Sequence, residues 1–172
     1  VGEGYEGALL LTRLTSALVA DLADAPRPPI DPVAAVSDLS SRLDRYEGLV
    51  IEAGLSGDLQ PLREDLSLTL RACEAADRRL RELDPDDSGP SAALIAFDRA
   101  WIDPEGLPGR PWYRNELAAS DRDSGYGAVV LPAMAEAIRD RDQAALDRAI
   151  ADYRTMLARV RLAAGRIAPE AD

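Results

Sequence analysis

Apolar residues recur three and four positions apart along most of this chain, the spacing of one face of a helix. From about Ala8 to Ala25 the repeat is Leu11, Leu14, Leu18 and Leu22, and from Pro32 to Ala53 it is Val36, Leu39, Leu43, Tyr46, Val50 and Ala53. A longer stripe runs through Leu62, Leu66, Leu70, Cys73, Ala76, Leu80 and Leu83, and the cleanest closes the chain with Leu146, Ile150, Tyr153, Leu157, Val160 and Ala164. Punctuation agrees with these limits. ADAPRPPIDP breaks the first helix because proline lacks an amide proton and clashes with the preceding turn. Asp31 before Pro32 is a start signal, Gly54 and Gly57 end the second helix, and Asp58 can cap the third with Pro61 in its first turn. Short helices are expected from Ser91 to Ala100 and from Pro132 to Arg139, with Asp140 and Gln143 resembling a capping box ahead of the last helix. No stretch reads as a strand. The expectation is an all-α antiparallel bundle of about four long helices with one long excursion.

The excursion is Phe97 to Pro132, which holds both tryptophans, Trp101 and Trp112, with Pro104, Pro108 and Pro111 set among Gly106 and Gly109. A connection this long without periodicity is uncommon inside a domain and is usually functional or disordered. Trp101, Trp112 and Tyr113 favour burial, so an ordered segment braced by the helices is expected.

Composition narrows the chemistry. At 172 residues, 47% hydrophobic and 30% charged, the chain is expected to form one globular domain. A net charge of -11 argues against a nucleic-acid partner, because phosphate binding rests on clustered cations. All 20 basic residues are arginine, scattered among acids on helical faces. There is no apolar run of ~18 residues and no leader pattern, so no membrane contact is expected from this segment. Its abrupt start suggests a piece of something longer. Without histidine, and with Cys73 as the sole cysteine, neither the common zinc ligand sets nor a histidine-activated nucleophile can be assembled. Cys73, between Leu70, Ala76 and Leu80, reads as a buried thiol. Carboxylates are abundant but fall on solvated faces. No catalytic residue, metal site or cofactor is therefore assigned to this chain.

Two short patterns give way on inspection. Gly2, Gly4 and Gly7 match G-x-G-x-x-G, but no strand precedes them and Glu3 and Glu6 would repel a pyrophosphate. Asp121, Asp123 and Gly125 hint at a calcium loop, yet an EF-hand begun at Asp121 needs glycine and glutamate where Tyr126 and Pro132 stand, so a polar turn is the better reading.

The run Trp101, Ile102, Asp103, Pro104, Gly106, Leu107, Pro108, followed by Arg110, Pro111, Trp112, Tyr113 and Arg114, is specific. It resembles the C-terminal helical domain of the transferrin receptor and glutamate carboxypeptidase (prostate-specific membrane antigen) family. The resemblance continues through Tyr126 to Pro132 and into the last helix, and Ile30, Asp31 and Tyr46 also fit it. It implies a transferrin receptor-like dimerisation domain over residues 1–172, the final portion of a longer chain. That parent would pair with its twin and carry a protease-like domain that holds zinc. It further implies that the loop Ser120–Val129 reaches over the active site, where the family uses a Lys-Tyr pair to bind a carboxylate. Tyr126 matches the tyrosine, beside Ser124, but Gly125 stands at the lysine, which weakens a preference for glutamate-type ends. Trp, Tyr and Arg also dominate association hot spots, so Trp101, Asp103, Pro104, Arg110, Pro111, Trp112, Tyr113 and Arg114 form a candidate interface motif. For Trp101 and Trp112 themselves, the favoured reading is that they plug the end of the bundle as core anchors. A receptor-like parent without catalysis, or an unrelated helical interaction bundle, are the alternatives.

Overall fold

The structure, a computed structural model, describes residues 4–168; Gly2 and Glu3 of the glycine pattern lie outside the described residues. Seven helices appear among these residues: α1 (Glu6–Asp24), α2 (Ala34–Ser37), α3 (Leu39–Glu52), α4 (Gln60–Glu82), α5 (Ser91–Arg99), α6 (Pro132–Asp140) and α7 (Gln143–Ile167). The excursion between α5 and α6 contains two short strands, β1 (Ala118–Ser120) and β2 (Ala128–Val130), paired antiparallel with Ala119 opposite Val129.

The core forms where the stripes meet. Leu62, Leu66, Thr69, Cys73, Ala76 and Leu80 of α4 face Leu146, Tyr153, Met156, Leu157, Val160 and Ala164 of α7, all buried. Three links mark the line of contact: Gln143 Nε2 donates to the Ser56 carbonyl, Arg154 pairs with Asp65, and the Thr69 hydroxyl donates to the Leu157 carbonyl. Both chain positions rise together along these links, so α4 and α7 run side by side in the same direction. Helices joined by short turns reverse direction, as α6 and α7 do, with Ala133 N–H donating to Tyr153 Oη. The excursion is therefore a crossover connection that returns the chain to the end of the bundle where α4 began. The buried residues of α2, α3, α5 and α6 complete the same core.

Several local expectations are corrected. The helix expected over Pro32–Ala53 is divided at Asp38 into α2 and α3. Asp31 does start it: Val33 and Ala34 N–H both donate to its Oδ1. Helix α3 stops at Gly54, which takes φ +72°, whereas Gly57 packs its open Cα side against Ile150 and Leu146. The cap of α7 is Asp142, whose Oδ1 accepts from Ala145 N–H, and not Asp140, which closes α6; Gln143 turns instead to Ser56. A strand pair exists where none was expected. Helix α1 has the leucine repeat that was read, yet none of its residues is buried. Its apolar face is bare, and the bundle is built from the other six.

Cys73 is fully buried, and desolvation, with the Glu74 carboxylate adding to it, pushes its thiol up to about 12. No helix among the described residues is long and apolar enough to cross a membrane.

Candidate functional site

The excursion divides into a brace and a hairpin. From Trp101 to Glu116 the chain folds back on itself through backbone bonds: Asp103 N–H to the Arg114 carbonyl, Leu107 N–H to Tyr113, and Glu116 N–H to Trp101. The Asp103 carboxylate accepts from Glu105 N–H and shapes the first turn. At Gly106 the two arms cross so closely that a Cβ would sit 2.3 Å from the Pro111 carbonyl oxygen. Pro104 and Pro111 lie exposed on the outside of these turns and limit their freedom.

The brace sends its two tryptophans to opposite environments. Trp101 is 4% exposed and meets Phe97 edge to face, with ring centroids 6.1 Å apart. Trp112 is 70% exposed, and tilts against the half-buried Tyr113. The expected burial of Trp112 is thus corrected: it stands in solvent, as does Arg114 two positions on.

Arg110 runs counter to the expectation that the arginines are scattered on helical faces. It is 8% exposed, with Nη1 donating to the Ser120 carbonyl at 2.8 Å and Nη2 paired with Glu136 of α6. Its guanidinium carbon lies 4.9 Å from the centre of the Tyr113 ring, a cation–π contact. Tyr113 Oη shares a hydrogen bond with Ser120 Oγ at 2.5 Å. Two members of the motif therefore hold one residue, Ser120, at the end of β1 where the ribbon enters its turn. Tyr46 holds the other strand, its hydroxyl donating to the Val130 carbonyl at 2.5 Å. A buried carboxylate corrects a second expectation. Glu116, 5% exposed, pairs with Arg159; desolvation raises its pKa above the ordinary value, and Arg159 opposes that shift.

Directly beyond Ser120, Asp121 organises a polar turn, as expected. Its Oδ1 accepts from Asp123 and Ser124 N–H, and its Oδ2 from the Ser124 hydroxyl and Gly127 N–H. These donors hold its carboxyl well below the usual carboxylate range. Ser124, Gly125 and Tyr126 form the tip, and Tyr126 is 97% exposed. Gly125 takes φ +73° with open space where a side chain would be. Two ion pairs join the turn to α6, Arg122 with Asp140 and Arg139 with Asp123. The sequence carries one clue to them: the dipeptide Arg-Asp occurs at 122–123 and again at 139–140.

Among the described residues no group of three or more Cys, Asp or Glu side chains is arranged to hold a metal ion. What the region presents is surface: an outward tryptophan on a braced loop, and an outward tyrosine on a fastened turn. Residues 91–162, from α5 through the whole crossover and most of α7, match the family model of the transferrin receptor-like dimerisation domain.

Proposed function

We propose that this domain pairs two copies of a longer parent chain, and that the hairpin tip reaches the substrate pocket of a protease domain in the same parent. The observation that carries the pairing is Trp112. A tryptophan 70% exposed on a loop fixed by backbone bonds and prolines is an expensive side chain to leave in water, and a cheap one to dock, because little entropy remains to be lost. The exposed Arg114 and the half-exposed Ile102 of the same brace add charged and apolar surface of the kind found in hot spots. The parent in this reading is a zinc-dependent peptidase of the carboxypeptidase type. Its zinc does not fit these residues: histidine is absent and the one thiol is buried and protonated, so the metal belongs to the other domain.

Light scattering over a concentration series tests the pairing. The chain is expected to run at twice its monomer mass, and Trp112→Ala to weaken association about 30-fold, the ~2 kcal/mol of a hot-spot residue. A monomer at every concentration would overturn it. For the tip, Tyr126→Phe in the parent enzyme is expected to raise KM several-fold with kcat and dimer mass unchanged; unaltered KM removes Tyr126 from the pocket.

One observation favours a second reading, a receptor-like parent that has lost catalysis. Gly125 leaves the tip without a cation of its own, and the nearby Arg122 is committed to Asp140. The two readings separate on whether the domain preceding Val1 carries His, Asp and Glu at zinc-ligand spacing.

A further inference from the structure

We propose that Arg122 and Arg139 are positioning residues for Tyr126: the hairpin tip is a rigid block latched to α6 by two crossed ion pairs, and it swings when the latch is opened. The purpose of holding Tyr126 still rests on the pocket reading above, but the latch itself rests on geometry.

The block is closed on itself. Besides the four bonds to the Asp121 carboxylate, Asp121 N–H donates to the Gly127 carbonyl at 2.7 Å, and Tyr126 N–H donates to Ser124 Oγ at 3.2 Å. Gly127 lies so near that a Cβ there would meet Asp121 Oδ2 at 2.9 Å. Residues 121–127 therefore move as one piece.

The block's connection to the rest of the molecule is slight. Residues 122–128 are all exposed, so no core packing holds them. The stem is three residues on each side, and a two-stranded ribbon that short does not keep its own direction in water. Tyr46 secures Val130 at the root of the ribbon and Arg110 and Tyr113 secure Ser120 at its loop end, so the only joints left to the block are the two links into it, Ser120–Asp121 and Gly127–Ala128.

Beyond these joints the turn meets α6 through charges placed in reciprocal order. Arg122 Nη1 and Nη2 reach Asp140 Oδ2 and Oδ1 at 2.6 and 2.7 Å, a two-pronged contact that sets direction as well as distance. One residue on, the signs exchange, and Arg139 pairs with Asp123. A slide of the turn by one position along α6 would set Arg122 against Arg139 or Asp123 against Asp140. The crossed order thus selects a single register. Arg122 also lies 4.0 Å from Glu136, the partner of Arg110, so one carboxylate joins the latch to the arginine that holds Ser120.

Exposed ion pairs add little to global stability, so the latch is expected to govern the direction of the tip and leave the melt unchanged. The test is ¹⁵N relaxation of the intact chain at the amides of Gly125, Tyr126 and Gly127. Order parameters near about 0.85, matching α6, are expected in the wild type, with a fall below about 0.6 in Arg122→Asp and in Arg139→Asp while α4 and α7 keep their values. Arg122→Asp combined with Asp140→Arg exchanges the charges across the latch and is expected to restore the tip. Wild-type values already below 0.6, single reversals that leave the tip ordered, or an exchange that fails to restore it would each overturn the proposal. A null result for Tyr126→Phe kinetics would remove the pocket role and leave these values untouched, so the two failures are distinguishable.

Discussion

Trp101→Ala is expected to cost the fold about 3–5 kcal/mol, the range for truncating a large aromatic in a packed core. For a domain of this size that lowers the melting temperature by about 6–20 °C. Trp101 lies against Phe97 at the point where α5 delivers the chain into the crossover, and its carbonyl accepts from Glu116 N–H on the returning arm. Removing the ring therefore opens a cavity at the base of the brace. The neighbour in the motif supplies the control: Trp112→Ala touches little of the monomer and is expected to change its stability by no more than about 0.5 kcal/mol. Thermal melts of both variants check this, and equal shifts would contradict the opposite placement of the two rings.

Gly106→Ala is the second large effect, about 2–5 kcal/mol. Two causes add. At φ +72° an L side chain costs roughly 1–2 kcal/mol, and overpacking adds ~1–3 more. The clash cannot be relieved by a rotamer change, because the three atoms nearest the new methyl, at 2.3, 2.7 and 2.8 Å, belong to the Pro111 backbone. The arms must part, with loss of the bonds from Leu107 to Tyr113 and from Asp103 to Arg114. Gly109→Ala separates the causes: its φ is +73° but open space surrounds it, so only the conformational cost of roughly 1–2 kcal/mol remains. Urea titration of the pair measures the difference, and equal midpoints would mean that the crossing at Pro111 yields.

Much of this architecture was legible from residue spacing, for physical reasons that also mark where legibility stopped. The stripes on α4 and α7 were readable because both helices bury one face over about five turns. The same rule found the leucines of α1 but could not say that nothing covers them, since periodicity reports which residues share a face and not what faces them. The hairpin was invisible because its strands, Ala118–Ser120 and Ala128–Val130, are too short to alternate; they are held by Tyr46, Arg110 and Tyr113 from elsewhere in the chain. Arg110 and Glu116 looked like ordinary surface charges, because burial of an ion pair depends on a partner far along the chain, Glu136 in one case and Arg159 in the other. The split of the tryptophans had the same origin. Composition gives each ring a preference for burial, and only the folded path of the brace decides which one obtains it.

The parallel course of α4 and α7 has a kinetic consequence. In an up-and-down bundle each helix meets a sequence neighbour, contacts are local, and folding is fast. Here the helices that bury the longest stripes are joined at pairs such as Thr69 with Leu157, which are 88 positions apart. The whole crossover must be looped out before that contact can form, and the loop-closure entropy falls due before the leucines of either helix repay it. The backbone bonds of the brace and the Asp121 turn close within the crossover itself, so forming them early would shorten the loop that this contact has to close.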